Sequence, residues 1–575
     1  MSFYDDAKFM FLAGGAAGKD GKAYNIKPIS PAKDFTFSRG TNLTATRVGK
    51  DGYIEKGREQ KLYNTVWAGA GEDTEPTGWN KALIDDGTFD TTSTSGQIRF
   101  TCDASDRAYL QASAFTDDGP LAISVYVDEV HTACPIKTVI GYGGVSSTLI
   151  GYFEDGVEVD RDDNVQAGKR YSYVIKRTDS DNGYPRIGVG IDKATAGDIT
   201  LSRPQFEIGF AATAYIENTS TSATATAGLL EDEPRFDYTG GGCPSLLIES
   251  TRVNICLNSE GVDSLLGGAT ATLDQDVVSP TGYKGGVVEL TNLQGSGGDR
   301  KKFEADIASE DRGEAFSASV YVKGTSGETM SYQFKRTAGT SVSAPKERHT
   351  FSGEWERLDQ TFTTLSDTSK VGFHFTNDSD TADSMYVWGM QIEKGSYATS
   401  YIPTYGSSAT RTYDDPNELV HGITMGTSCS IFLEATNFKV TETGGAQTSF
   451  LQIMDATSPS TADRFLFLGV ANTASTFTLQ AQNKESGTPA TDTLSKTGLT
   501  MGSPFKALAR YDGTSFDLFV NGVLEGSETI VADDHFGRVG LKNLTSQTQN
   551  GHSISQVILF DSALSDTECE ELTTL

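Results

Sequence analysis

The residue types that do chemistry are all present in this chain, but no recognisable catalytic spacing gathers them. The six histidines, His131, His349, His374, His421, His535 and His552, stand apart, with no H-E-x-x-H and no close pair. They read as ordinary surface or core histidines. No G-x-S-x-G elbow or G-x-G-x-x-G run occurs, and Gly14 to Asp20, GGAAGKD, only imitates a phosphate loop. Ala13 stands where the first glycine would be, and Asp20 where a Ser or Thr would hold Mg²⁺. Glycoside hydrolysis needs two carboxyl groups about 5 to 9.5 Å apart, but 77 acidic residues in a strand-rich sequence single out no pair. Cys102, Cys134, Cys243, Cys256, Cys429 and Cys569 form no C-x-x-C and have no adjacent His, so they read as isolated thiols. No catalytic, cofactor or metal residue is therefore assigned. A structural calcium ion, which takes six to eight oxygens, is compatible with such a chain, although no D-x-D-x-D-G loop marks one.

Sugar binding is the chemistry with candidates. It needs aromatic faces for pyranose C–H groups, together with polar groups for the hydroxyls. Four tryptophans qualify by type: Trp67, Trp79, Trp355 and Trp388. Trp388 sits in a strand-like run and Trp355 at the start of one, which favours core packing. Trp67 and Trp79 lie in Gly-rich, loop-like sequence, where core and ligand roles both stand open, and none of the four is assigned to a ligand.

These residues hang on a duplicated scaffold. QFEIGFAATAYIENTSTSATAT (205 to 226) reappears as QIEKGSYATSYIPTYGSSATRT (391 to 412), identical at 11 of 22 positions. Gln205, Glu207, Gly209 and Tyr215 thus have counterparts in Gln391, Glu393, Gly395 and Tyr401. A repeat must be found before anything else is read, because missing it miscalls the fold. Ser124–Val127 matches Ser319–Val322 upstream, and the spacing to the Gln-x-Glu segment differs by about nine residues, as a variable loop on a common scaffold would. Glu207 and Glu393 recur among strand-like residues, which favours a structural hydrogen bond over catalysis. One departure separates the copies: Ser202 and Arg203 occupy the place of Trp388 and Gly389, so the first copy reads as a spacer as readily as a binder.

LAISVYV, RYSYVIKR, RIGVGI, FSASVYVK and SMYVWGMQIE alternate apolar with polar residues or are briefly continuous, and Gly, Asn, Asp and Ser clusters divide them. They predict antiparallel strands of a sandwich, with no long 3.6-residue period between them. Glycine numbers 61, against about 40 at the usual ~7%, as in a turn-rich β protein. The fold class is all-β: two tandem jelly-roll sandwiches, a third sandwich at the C-terminus and a short N-terminal segment. In the last 150 residues, Asn521-Gly522 between FDLFV and VLE predicts a type I′ hairpin. Ser565 and Glu568 predict a capping box that opens a short helix. Thr44–Arg47, Ser222–Ala225 and Ser408–Arg411 are three versions of one joint element.

The chain carries 47 basic and 77 acidic residues, for a net charge of −30 without a basic stripe. Nucleic acid is excluded as a partner, because phosphate contacts need clustered Lys and Arg. No run of 18 apolar residues predicts a membrane span. Asp5 and Asp6 stand where a secretory signal carries basic residues, so folding in the cytoplasm of synthesis is expected.

Three phrases, ATRVGKDGYIEK (45 to 56), PRFDYTGGGCPSLLIESTRVNICLNSE (234 to 260) and YVWGMQIEKGSYATSYIPTYGSSATRT (386 to 412), resemble modular fibre proteins of tailed bacteriophages. Those proteins are mosaics in which carbohydrate-binding-module-like sandwiches are strung along a virion appendage. The N-terminal SFYDDAKFMFLAGGAAGKDGKAYNIKP looks like the start of such fibres. ALARYDGTSFDLFVNGVLE with QVILFDSALSDTECEEL is similar to concanavalin A-like and laminin-G-like lectin domains. There the Asn521-Gly522 hairpin and the closing helix are landmarks of the fold, not ligand contacts.

The resemblance implies a virion protein, made and assembled in the host cytoplasm, that binds bacterial surface polysaccharide without cleaving it. It further implies a homotrimer, joined to other virion proteins through its N-terminal segment. The expected divisions are residues 1–57 (attachment segment), 58–216 (sandwich), 217–253 (linker), 254–402 (sandwich), 403–424 (linker) and 425–575 (lectin-like domain). The alternatives are a polysaccharide depolymerase, weakened by the absence of a long β-helix repeat, and a purely structural head or tail fibre with spacer domains.

Overall fold

In this computed structural model the described residues are 6–14, 22–23, 25–27, 35–40, 43–84, 87–117, 119–144, 147–177, 181–192, 194–229, 233–261, 268–294, 299–340, 342–416, 419–425, 427–438, 447–455, 464–473, 475–484, 491–529, 536–541 and 551–575. They form three antiparallel β-sandwiches, linked by small two- and three-stranded sheets. The all-β class expected from strand alternation is what the chain adopts.

Each copy of the repeat builds one sandwich around the same central strand. In the first, Leu121, Ile123, Val125 and Val127 of Gly119–Thr132 point into the core, and Ala122, Ser124 and Tyr126 point outward. In the second, Phe316, Ala318, Val320 and Val322 of Ala315–Lys323 take the inward places and Ser317, Ser319 and Tyr321 the outward ones. Period-two alternation produces this division directly. Ser124 pairs with Gln205 and Ser319 with Gln391, and both ladders shift register one step later. The shift is a β-bulge at equivalent places: Arg203 has φ +53° and Gly389 φ +66°. A four-stranded sheet closes each core, with Tyr184–Val189 second from its edge in the first sandwich and Lys370–Thr376 in the second.

The third sandwich departs from the expected divisions. Its larger sheet runs through Ser428–Asn437, Pro504–Asp512, Ser515–Val520 and His552–Phe560. The N-terminal strand Ala7–Leu12 pairs with His552–Phe560, Met10 facing Ile558 and Leu12 facing Gln556. Arg235–Asp237 and Ser245–Ile248, which fall in the expected linker 217–253, extend the same sheet. Phe9, Phe11, Phe35, Phe37, Phe236, Leu246 and Ile248 are all buried in its core. The attachment segment 1–57 and that linker are therefore not free-standing. They supply apolar faces that the C-terminal strands need, and a strand edge that would otherwise be open. Leu419–Met425, which begins inside the expected linker 403–424, is a strand of the smaller sheet. Asn521 and Gly522 both have positive φ, +50° and +81°, as the hairpin requires. Ser565 caps Asp566–Thr573 with the reciprocal Glu568 bond.

A buried charge cluster ties the joints together. Arg235 donates to Glu249 at 2.8 Å and, through Nε, to Asp414 at 3.1 Å. Arg39 meets Asp414 at 3.1 Å and Arg411 meets Glu249 at 3.0 Å. None of these five side chains is more than 4% exposed. Each guanidinium also donates to a main-chain carbonyl, Arg39 to Glu233, Arg235 to Thr46 and Arg411 to Ser250. Breaking such a cluster is costly because its members cannot regain water.

Candidate functional site

The repeated motif is a buried hydrogen-bond frame. Gln205 donates to Glu207 at 2.5 Å and accepts from Ile216 N at 2.7 Å. Glu207 also accepts from Thr213 N at 2.9 Å and from the Thr213 hydroxyl. In the second copy Gln391 donates to Glu393 at 2.7 Å and accepts from Ile402 N at 2.7 Å, while Glu393 accepts from Thr399 N and Oγ1, both at 2.7 Å. Tyr215 OH lies 2.7 Å from Thr65 Oγ1, and Tyr401 OH 2.6 Å from Ser259 Oγ. Gly209 and Gly395 turn the chain at φ +143° and +147°. At Gly395 a Cβ would also stand 3.0 Å from the Arg252 guanidinium. Glu207 and Glu393 are both buried acceptors with their oxygens occupied.

Two partners in the frame escaped the sequence reading. Gln60 donates to Pro204 O and Ile216 O and accepts from Leu62 N and Phe206 N. Asn254 donates to Met390 O and Ile402 O and accepts from Cys256 N and Ile392 N. The signal was present in the sequence: Arg58/Arg252 and Asn64/Asn258 are identical at one spacing, with Gln60/Asn254 and Thr65/Ser259 between and beside them.

None of the tryptophans forms an open sugar platform. Trp67 and Trp79 are 3% and 4% exposed and meet edge to face at 6.3 Å inside the first core. Trp388, 1% exposed, packs on Tyr321 and Tyr401 and clusters with Ile54, so it seals the joint between the first two sandwiches. Trp355, half-buried, donates to Val278 O at 2.8 Å. The first copy replaces Trp388 and Gly389 with Ser202 and Arg203, and Arg203 lies 4.5 Å over the Tyr126 ring. The departure thus exchanges a tryptophan for an arginine as the cover of the equivalent tyrosine, Tyr321 in one copy and Tyr126 in the other.

Of the histidines, His374 and His552 are buried, His349 meets Glu356 at 3.1 Å, and His131 meets Glu129 at 3.3 Å. His421 lies in Leu419–Met425, its side chain outside the described residues, as is His535. The phosphate-loop imitation also falls outside them from residue 15 onward. Among the described residues no three His, Cys, Asp or Glu gather as a metal site. All six cysteines are free, and only Cys243 is exposed.

An open site lies between the first two sandwiches. Among the described residues, the exposed Tyr, Phe and Trp rings are Tyr53 at 48% and Tyr283 at 37%; Tyr283 lines this site and Tyr53 stands beside it. Tyr53 lies against the 279–283 turn, within 3.0 Å of where a Gly282 side chain would begin. Tyr283 lines two adjoining hollows of about 410 and 560 Å³, which share Phe210, Ala211, Thr213 and Lys284 as their dividing wall. The polar lining is held by its own network. Lys56 bonds Glu260 at 3.3 Å and also the Tyr405 hydroxyl, and Lys61 bridges Glu59 and Asp117, both at 3.3 Å. Burial alone would lower the Lys56 pKa, but Glu260 and Tyr405 outweigh it and hold the ammonium above its ordinary value. Arg58 donates to Thr213 Oγ1 at 2.8 Å and to Ala214 O at 2.9 Å. Arg170 reaches Thr213 O and, at 2.6 Å, Ser124 Oγ. The result is a preformed groove with aromatic rings beside fixed donors and acceptors, a lining suited to a polyhydroxylated ligand.

No protein-family model and no curated protein matches the sequence. Among solved structures, the chain is similar to the CBM40 of the Ruminococcus gnavus IT-sialidase bound to alpha2,3 sialyllactose (17% identity, 25% of this chain and 82% of that one, TM-score 0.21). It is similar to the CBM22-1–CBM22-2 tandem domain of Paenibacillus barcinonensis Xyn10C (11% identity, 62% and 100% covered, TM-score 0.19). A third likeness is to domains LG4-5 of the mouse laminin alpha1 chain (10% identity, 55% and 91% covered, TM-score 0.19).

Proposed function

We propose that this chain is a non-enzymatic, multivalent glycan-binding fibre protein of a bacteriophage virion, and that it holds host surface polysaccharide in the groove between its first two sandwiches. The observation that carries the reading is the exposed Tyr283 ring, which lines two adjoining hollows of sugar size, with the exposed Tyr53 ring against the same 279–283 turn. A pyranose lays its C–H face on such a ring, while neighbouring donors and acceptors replace the water on its hydroxyls. Each groove binds weakly; repetition across the subunits of a homotrimer raises apparent affinity by roughly 10² to 10⁴ without new contacts. The phrases shared with phage fibres and the charge-locked joints support a load-bearing appendage.

The test is retention of host-cell polysaccharide by the full chain, compared with Tyr283→Ala and Tyr53→Ala. We expect each variant to bind about tenfold more weakly, the equivalent of ~1.4 kcal/mol, with unchanged unfolding. Binding that survives both substitutions intact sinks the assignment. Release of new reducing ends from the polysaccharide would instead establish a depolymerase.

A further inference from the structure

The charges in the groove are unevenly satisfied. Its lining carries five cations, Lys56, Arg58, Lys61, Arg170 and Lys284, and five carboxylates, Glu59, Asp117, Asp155, Glu207 and Glu260, on a chain of net charge −30. The carboxylates are engaged: Glu59 and Asp117 by Lys61, Glu260 by Lys56, Asp155 by Lys169 at 2.8 Å, and Glu207 by Gln205 and Thr213. The two arginines are not matched in this way. Among the described residues neither Arg58 nor Arg170 has a carboxylate within 4.0 Å. Their hydrogen bonds go to Thr213, Ala214 and Ser124. These bonds leave Nε and one Nη of Arg58, and Nε of Arg170, unspent.

Both guanidinium groups converge on Thr213, one from each hollow, and they are close enough to oppose one another. Burial lowers the pKa of Arg170, with Arg58 adding to the effect and Glu207 and Tyr283 working against it. Glu207, buried beneath Thr213, offsets one of the two charges. Around Thr213 two guanidinium groups therefore face one carboxylate, in a lining balanced overall at five charges of each sign, and they present planar N–H donors beside the exposed Tyr283 ring. A fork of this kind matches a planar carboxylate, and it is stronger than neutral hydrogen bonds.

We propose that the groove selects an acidic sugar, a hexuronate residue whose carboxylate is taken by Arg58 and Arg170 while its ring lies on Tyr283. The inference rests on the glycan-binding reading and adds its ligand class. On a chain at −30, an anionic polymer is repelled at long range, so recognition depends on this local charge and strengthens at ionic strengths that screen the rest.

The experiment measures binding of the full chain to oligogalacturonate, to the same oligomer with its carboxyl groups reduced to alcohols, and to a glycerol-phosphate oligomer. Oligogalacturonate should bind at least tenfold tighter than its reduced counterpart. Arg58→Gln and Arg170→Gln should each remove that preference, and Arg58→Lys should keep part of it. Because Arg170 also braces Ser124, the exposed-side variant Arg58→Gln with native near-ultraviolet circular dichroism is the deciding one. Equal binding of the acidic and reduced oligomers, or a preference untouched by Arg58→Gln, overturns the proposal, as does tighter binding of the glycerol-phosphate oligomer. If both sugars bind equally and both are lost in Tyr283→Ala, the ligand class falls and the glycan-binding reading stands. If no saccharide binds, both fall.

Discussion

At the scale of single residues, buried amides hold each sandwich's last strand to the joint strand that leads into that sandwich. Asn254 makes four hydrogen bonds to main-chain groups of the second sandwich. Asn254→Ala leaves two carbonyls and two N–H groups without partners, at about 1–3 kcal/mol for each group that water cannot reach. We expect a loss of roughly 3 kcal/mol or more, read by urea unfolding of a Trp67→Phe, Trp79→Phe background in which only Trp355 and Trp388 report. A loss below 1 kcal/mol would mean that water replaces the amide. The equivalence of Glu207 and Glu393 was legible because both the residue and its flanks repeat. The roles of Trp67 and Trp79 were not, since loop-like sequence does not say which ring the core will cover. Tyr53 and Tyr283 carried no signal at all. They are ordinary tyrosines until two sandwiches meet and leave their rings in the open.

At the scale of elements, the bulge in the last strand of each sandwich fixes what its outer face can do. Gly389 sits at φ +66°, and a Cβ there would stand 3.1 Å from the Tyr321 ring. Gly389→Ala should cost about 1–2 kcal/mol, from left-handed strain and the push on Tyr321, seen as a lowered midpoint for the second sandwich alone. An unchanged midpoint would show that the bulge relaxes. Strand existence, the Asn521-Gly522 hairpin and the Ser565 cap were readable because each depends on local periodicity or on a dihedral requirement of one or two residues. Pairing was not. Nothing in AKFMFL names His552–Phe560 as its neighbour, because that contact closes over more than 500 residues of intervening chain.

For the whole molecule, the strand Ala7–Leu12 and the C-terminal strands share one sandwich, so residues 425–575 are not an independent domain. A fragment of residues 417–575 lacks Phe9, Phe11, Phe35, Phe37, Phe236, Leu246 and Ile248 from its core and leaves the His552–Phe560 edge bare. We expect it to aggregate or to unfold far below the full chain in a thermal scan. A monodisperse fragment with the parent midpoint would contradict this.

The charge cluster that joins these parts should be pH-sensitive. Burial raises the Glu249 pKa, but Arg411 and Arg235 outweigh it and hold the carboxyl at about 2, against an ordinary 4.5, and Asp414 is also held below its usual range. A depressed folded pKa gives stability that is complete above pH 4.5 and drains away as pH falls toward 2, roughly 3 kcal/mol from Glu249. Urea midpoints at pH 7, 4 and 2.5 should show that loss. Asp414→Asn should cost about 3–5 kcal/mol at pH 7 and flatten the profile, whereas an unaltered profile would remove the cluster from the account. The sequence by itself determined the all-β class, the duplication, the hairpin and the cap, because these follow from periodicity and local dihedral preference. Only the tertiary structure decided which rings stay in water, which charges lose their partners and which sandwich the N-terminal strand completes, because burial and pairing depend on residues brought together from across the whole chain.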